Sequence, residues 1–380
     1  MPIVRPLHIG KFVPPPYAGV EAHVDTLLRT LHPEVPGTLV AGESPQPRRP
    51  GEALPPYRLL TARAYGRLSS AVLSPGVLRL TRRELASGRC NLLHVHAPNP
   101  WGDFAALQCR SDVPVVMTWH SDILRQRQLM KVYRHVQRRA IARADRIVVF
   151  TPKHYESSAQ LHQLDIGHKL ALVPIGIDFD RLELAHACPE VRAQLDAFAR
   201  GRPTLLSVGR HVYYKGYPYL LQALARMRGE AVLVMVGTGL LSEALKQQAI
   251  DLGVAARVLF LGEIDNAGLV SAFHHCDVFC LPSIEQTEAF GIASAEAMAC
   301  GKPTVVCELG NGVNYLNQGG HTSLTVPPRD AGALAEALDT LVADTALRLR
   351  MGAAAREWVC NEFSLAAMKR GMIALYDSLA

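Results

Sequence analysis

Short apolar runs recur along the whole chain, and each is followed by a segment with helical spacing. In the first half they are Leu7–Gly10, Leu92–Val95, Val113–Met117, Arg146–Phe150 and Leu170–Pro174. In the second half they are Thr204–Val208, Ala231–Val236, Val258–Leu261, Val278–Leu281 and Thr304–Val306. Runs that are apolar at nearly every position suit strands buried on both faces. Strands that alternate with helices are joined by crossovers, and the sheet is then parallel and doubly wound. Two such sets predict an α/β fold of two Rossmann-like domains, with the boundary between Ile177 and about Arg202. We expect a first domain over residues 1–182 and a second over 183–363, with a final helix over 364–380.

The chain is long enough for this: 380 residues with 49% hydrophobic content and 19% charged residues can fill two cores. No apolar run approaches the roughly 18 residues that a membrane span needs. Residues Met1–Gly10 hold a broken apolar run without a small-residue cleavage site, which reads as a first strand and predicts a cytoplasmic protein. The eight cysteines form no CxxC pair and no His/Cys cluster with zinc spacing, so reduced core residues are expected.

Charge is unevenly divided: residues 1–180 carry a balance of +9 and the remaining 200 a balance of −3. Within Arg125–Arg143 the cations Arg127, Lys131, Arg134 and Arg138 recur at helical spacing, and Arg63, Arg67, Arg79, Arg82 and Arg83 form a second basic set. Cationic helices of this kind suit anionic headgroups, at about 1 kcal/mol per charge near the surface. Aromatic platforms for nucleic acid are missing, so no nucleic-acid partner is expected.

Ligands of open parallel sheets bind beyond the carboxyl ends of the strands, and the chemistry-bearing residues lie there. After Val208 comes Gly209-Arg-His-Val-Tyr-Tyr-Lys-Gly216, whose Arg210 and Lys215 can clamp a diphosphate and offset the charge that grows on it as it leaves. After Leu281 comes a loop holding Glu288, then from about Phe290 a helical pattern that Gly301-Lys-Pro303 stops. Free amides at Phe290, Gly291 and Ile292 suit a phosphate, with Glu288 before them and Glu296 farther along the helix able to bind hydroxyls. Gly237-Thr-Gly239 is not a dinucleotide fingerprint, because Ser242 occupies the third glycine position.

The segment Glu288-Ala-Phe-Gly-Ile-Ala-Ser-Ala-Glu296 resembles the E-x7-E signature of glycosyltransferase family 4, retaining enzymes with the GT-B fold, and the likeness covers nearly the whole chain. Gly209–Gly216 resembles that family's "GR…KG" element, and Pro174-Ile-Gly-Ile-Asp178 the end of its first domain, with Ile175 where Asn is usual. The resemblance implies two Rossmann-like domains facing across a cleft, an acceptor-binding first domain completed by the C-terminal helix, and a donor-binding second domain. It implies that Glu296 binds the ribose hydroxyls and Glu288 faces the donor sugar. Backbone around Glu263 and Ile264 would contact the base. Tyr17-Ala-Gly-Val-Glu resembles the family's "GGxE" loop, so the Gly19 amide would approach the donor phosphate, although Ala18 replaces the first glycine. His120, in Met117-Thr-Trp-His-Ser-Asp122, would contact the donor sugar. The catalytic set so implied is His120, Arg210, Lys215 and Glu288, without metal or cofactor.

Trp119–Ile123 and Ser283–Ile292 resemble bacterial transferases that build O-antigen chains or exopolysaccharide, many with mannose or rhamnose donors. The expectation is therefore a retaining transferase moving mannose from GDP-mannose to a lipid-linked oligosaccharide at the inner membrane. A UDP-hexose or UDP-N-acetylhexosamine donor is the alternative, a sugar-nucleotide epimerase on a similar fold is a further one, and a silent subunit of a polysaccharide assembly complex is the reading from another class.

Overall fold

A computed structural model describes residues 4–13, 19–44, 54–68, 71–123 and 127–380. The chain divides into two compact units, residues 1–176 with Leu365–Ala380, and Ile177–Ser364. The division falls before residue 177 rather than at 182. Residues 177–182 are tied to the second unit: the Ile177 amide donates to Phe363 O at 2.8 Å, and His274 Nε2 bonds Leu182 O at 2.8 Å.

The first unit runs β1 (Pro6–Phe12), α1 (Gly19–Leu31), β2 (Thr38–Gly42), β3 (Arg58–Ala62), the short pair β4 (Arg67–Leu68) and β5 (Ala71–Val72), and α2 (Gly76–Ala86). It continues through β6 (Leu92–Ala97), α3 (Pro100–Gln108), β7 (Val115–Trp119), α4 (Arg127–Arg143), β8 (Arg146–Val149), α5 (Pro152–Glu156) and β9 (Leu170–Leu172). Seven strands form one parallel sheet in the order β3-β2-β1-β6-β7-β8-β9. Successive strand residues face opposite layers. Leu7, Ile9, Leu93, Val95, Met117 and Trp119 share one core cluster with Val77 of α2, Ala105 of α3 and Ile141 of α4.

The second unit runs α6 (Pro189–Ala199), β10 (Thr204–Val208), α7 (Tyr217–Arg226), β11 (Val232–Val236), α8 (Ser242–Asp251), β12 (Val258–Gly262), α9 (Asn266–His275) and β13 (Val278–Leu281). Then follow α10 (Ile292–Ala299), β14 (Thr304–Cys307), α11 (Gly312–Leu316), β15 (Ser323–Val326), α12 (Ala331–Ala343) and α13 (Thr345–Glu362). Its six strands form a second parallel sheet in the order β12-β11-β10-β13-β14-β15. Strand order reverses beside β10, so its carboxyl end and that of β13 border the switch point where open sheets bind ligands.

The last helix, α14 (Leu365–Asp377), returns to the first unit. Its Met368, Met372 and Tyr376 pack with Leu27 and Leu31 of α1 and with Leu92, Val116 and Val148 of the sheet. Among the described residues no helix is long and apolar enough to cross a membrane. Residues 45–50 of the Pro-rich segment, Tyr17 and Ala18, and Arg125 and Gln126 lie outside the described residues.

Candidate functional site

The candidate donor site is assembled from loops at the carboxyl ends of β10, β11 and β13. Gly216, at φ 68°, begins α7, and a side chain there would meet the Pro282 carbonyl oxygen at 1.9 Å. Only glycine lets these two loops touch. The contact places Lys215 beside Glu288, with Nζ 2.6 Å from Oε2 and each side chain about one-tenth exposed. Ser283 Oγ donates to the same carboxylate at 3.0 Å, and Asn311 Nδ2 donates to the Glu288 carbonyl at 2.8 Å. The two residues to which sequence reasoning gave separate roles thus form one ion pair. Arg210 is exposed and has no partner among the described residues. A diphosphate would find in this loop one guanidinium ready and one ammonium that it must share with a carboxylate.

Helix α10 begins at Ile292, two residues later than its periodicity suggests. Gly291 precedes it at φ 81°, where a Cβ would lie 2.8 Å from Leu281, and this left-handed residue cannot continue a helix toward Phe290. Phe290 is instead buried, its ring edge-on to Phe363 at 5.1 Å. Among the described residues no acceptor faces the amides of Gly291, Ile292 and Ala293, so the anion-binding capacity of a helix start is open. Glu296 is buried on this helix and forms an ion pair with Arg181. Burial raises its pKa and the nearby guanidinium opposes the rise. Arg181 was missed, because nothing in Asp178-Phe-Asp-Arg181 signals that the segment after the boundary folds back onto α10.

Glu263 is exposed at the end of β12 and accepts from Thr238 Oγ1 at 2.8 Å. Ile264 is half-buried, and Asp265 caps α9 by accepting from the Gly268 amide at 2.8 Å. The backbone of both candidates therefore lies where strand gives way to helix.

In the first unit Gly19 is exposed at the start of α1 with open space where a Cβ would stand. His120 lies just past β7, its amide donating to Ala97 O at 2.9 Å. It is one member of a buried histidine group of which the sequence reading singled out no other. His120 Nε2 is 3.1 Å from His96 Nδ1, and His96 Nε2 is 3.0 Å from His8 Nδ1. His8 Nε2 is 3.3 Å from the Tyr376 hydroxyl, which is 2.6 Å from His94 Nδ1, and His94 Nε2 is 2.7 Å from Thr118 Oγ1. The signal was available in Leu7-His-Ile and Leu93-His-Val-His96, where histidines at alternate positions interrupt buried strands on one face.

His8, His94 and His96 bring ring nitrogens within 4.8 Å of one another, which is metal-like spacing. The chemistry of the set does not fit an ion. All six of their ring nitrogens already have hydrogen-bond partners, and the His94 and His96 rings are stacked at 4.6 Å, so their lone pairs do not converge.

Comparison with known proteins supplies the family. The description "Glycosyltransferase Family 4" matches residues 17–181 and "Glycosyl transferases group 1" matches residues 193–358. The chain is 28% identical over 377 residues to an O-antigen chain mannosyltransferase C of Escherichia coli, covering 99% of both chains. It is 30% identical over 375 residues to a phosphatidyl-myo-inositol mannosyltransferase of Mycobacterium leprae, covering 95% of this chain and 93% of the other. Among solved structures, sucrose-phosphate synthase of Thermosynechococcus elongatus superposes with a TM-score of 0.82 at 23% identity over 99% of each chain. The two parallel-sheet units and these matches together identify the chain as a member of glycosyltransferase family 4, an enzyme of the GT-B fold.

Proposed function

We propose that this enzyme is a retaining mannosyltransferase that takes GDP-mannose as donor and a lipid-linked saccharide as acceptor in the synthesis of O-antigen or a related bacterial glycan. The observation that carries the reading is that two relatives matching nearly the full chain are both named mannosyltransferases, one of an O-antigen chain and one of a phosphoinositide. The arrangement at the ends of β10 and β13 is chemically suited to it. Arg210, Lys215 and the first amides of α10 would hold the diphosphate and stabilise its departure, and Glu296 would bind ribose hydroxyls. We assign base contacts to the backbone at Glu263 and Ile264, the phosphate approach of the first unit to Gly19, and sugar contacts to His120 and Glu288. Retention follows if the departing β-phosphate takes the acceptor's proton on the face it leaves. A cationic clamp makes a metal unnecessary in this reading.

The exposed face of α4, with Lys131, Arg134, Arg138 and Arg139 around an exposed Val132, supports peripheral attachment to an anionic cytoplasmic membrane face. The deciding experiment is a calorimetric panel of GDP, UDP, dTDP and ADP and their sugar conjugates without metal. Selective binding of GDP and GDP-mannose is the expected result. Preference for UDP moves the donor to a hexose or N-acetylhexosamine, and binding of none removes the donor-site assignment.

A further inference from the structure

Among the described residues the hydrogen-bonded line Thr118–His94–Tyr376–His8–His96–His120 has no branches. A neutral imidazole has one N–H and one lone pair, and a phenol has one proton, so the direction of any one bond in the line fixes all the others. Only two arrangements exist.

The groups around the line keep its members neutral. Burial lowers the pKa of His8 to about 3 and holds those of His94, His96 and His120 well below the ordinary histidine value. Among the described residues the titratable groups facing His120 are His23 of α1, Lys11 of β1, His154 of α5 and His96 of β6, and none of these is an anion.

The Tyr376 end selects between the arrangements. Hydroxyl donors make the shorter hydrogen bonds, typically about 2.7–2.8 Å between oxygens, whereas N–H donors sit at about 2.9–3.0 Å from oxygen. Both contacts of His94 are short, 2.6 Å to Tyr376 and 2.7 Å to Thr118 Oγ1, and neutral His94 can accept only one O–H bond; the phenol, the more acidic of the two hydroxyls, takes that role. Tyr376 then accepts from His8 Nε2, His8 Nδ1 accepts from His96 Nε2, and His96 Nδ1 accepts from His120 Nε2. His120 Nδ1 has no partner among the described residues and is not among the buried unpaired atoms.

We infer that Tyr376, His94, His8 and His96 are positioning residues that hold His120 as the Nε2–H tautomer, so that its Nδ1 lone pair is presented to a hydroxyl of the sugar. Only the last step rests on the assignment of His120 to the donor sugar. The C-terminal helix thereby sets the chemistry of a residue just past β7, through Tyr376.

Two-bond proton–nitrogen spectra of protein labelled with ¹⁵N-histidine test this, with His120 assigned by the signal lost in His120→Ala. The expected result is an unprotonated Nδ1 in the wild type. In Tyr376→Phe, which keeps the ring packing, the His120 signals move toward the Nδ1–H form. Turnover then falls about five- to tenfold, the scale of one neutral hydrogen bond, with the donor KM little changed. An Nδ1–H tautomer in the wild type, an unmoved His120 in Tyr376→Phe, or stoichiometric zinc on the histidines would overturn the inference. If the tautomer behaves as expected but His120→Ala keeps full turnover, the sugar contact falls and the presentation step falls with it.

Discussion

Two cations seven residues or fewer from one strand end behave differently once folded. Arg210 is exposed without a partner among the described residues, while Lys215 is paired with Glu288 in a site only about one-tenth exposed. If Arg210 holds the leaving diphosphate as proposed, Arg210→Ala should lower turnover by about two to three orders of magnitude and leave Tm unchanged. Lys215→Ala should lower both, because it leaves a largely buried carboxylate without its counter-ion, a cost of about 1–3 kcal/mol. Thermal melts beside steady-state rates separate the two. Burial also holds His23 and His154 at a pKa of about 4 and His8 at about 3, all below the ordinary value of 6.5. The unfolded chain therefore binds more protons below pH 6.5, so stability is complete above that pH and is lost as pH falls toward 4 and then 3. At pH 5 the loss from His23 alone is about 2 kcal/mol. A urea midpoint that fell no faster below pH 6.5 in the wild type than in His23→Phe would contradict this. Glu288 and Glu296 could be picked from the sequence by their spacing, but neither Lys215's nor Arg181's claim on them could, since each ion pair joins segments about 70 to 115 residues apart.

Among the elements, the loop before α7 depends on Gly216. Gly253 has almost the same backbone angle, φ 71° against 68°, but open space where a Cβ would go. Gly253→Ala should therefore cost only the left-handed penalty, about 1–2 kcal/mol. Gly216→Ala should cost more, because the Pro282 carbonyl must move and the Lys215–Glu288 pair that the touching loops hold together is pulled apart. Equal urea midpoints for the two variants would show that the close approach to Pro282 adds nothing to the cost. The strands that were legible are those whose apolar runs exceed their turns. β2, β3 and β15 were not, because Thr38-Leu-Val-Ala-Gly42, Arg58-Leu-Leu-Thr-Ala62 and Ser323-Leu-Thr-Val326 are short and interrupted by polar or small residues. Their pairing partners, not their own pattern, make them strands.

For the molecule as a whole, α14 is the element on which the first unit's integrity rests. Met368, Met372 and Tyr376 are each about 1% exposed and Leu375 is 7% exposed. At about 1.5–3 kcal/mol per buried side chain their removal costs about 6–12 kcal/mol, comparable with the about 5–15 kcal/mol that stabilises a whole domain. A chain ending at Ser364 should lose cooperative unfolding of residues 1–176 while residues 177–364 keep their own transition, as read by proteolysis and calorimetry. A first unit that still melts cooperatively would show that α14 is dispensable. The sequence by itself determined that the chain builds two parallel sheets, the places where most of their strands end, and the residue types gathered there, because periodicity, turns and the helix-start pattern are properties of neighbours in the chain. Only the tertiary structure decided that Lys215 faces Glu288, that Arg181 covers Glu296, that the division falls at residue 176, and that Tyr376 meets His8 and His94. Those contacts depend on which distant segments the sheets bring within a few ångströms, and no local pattern encodes that.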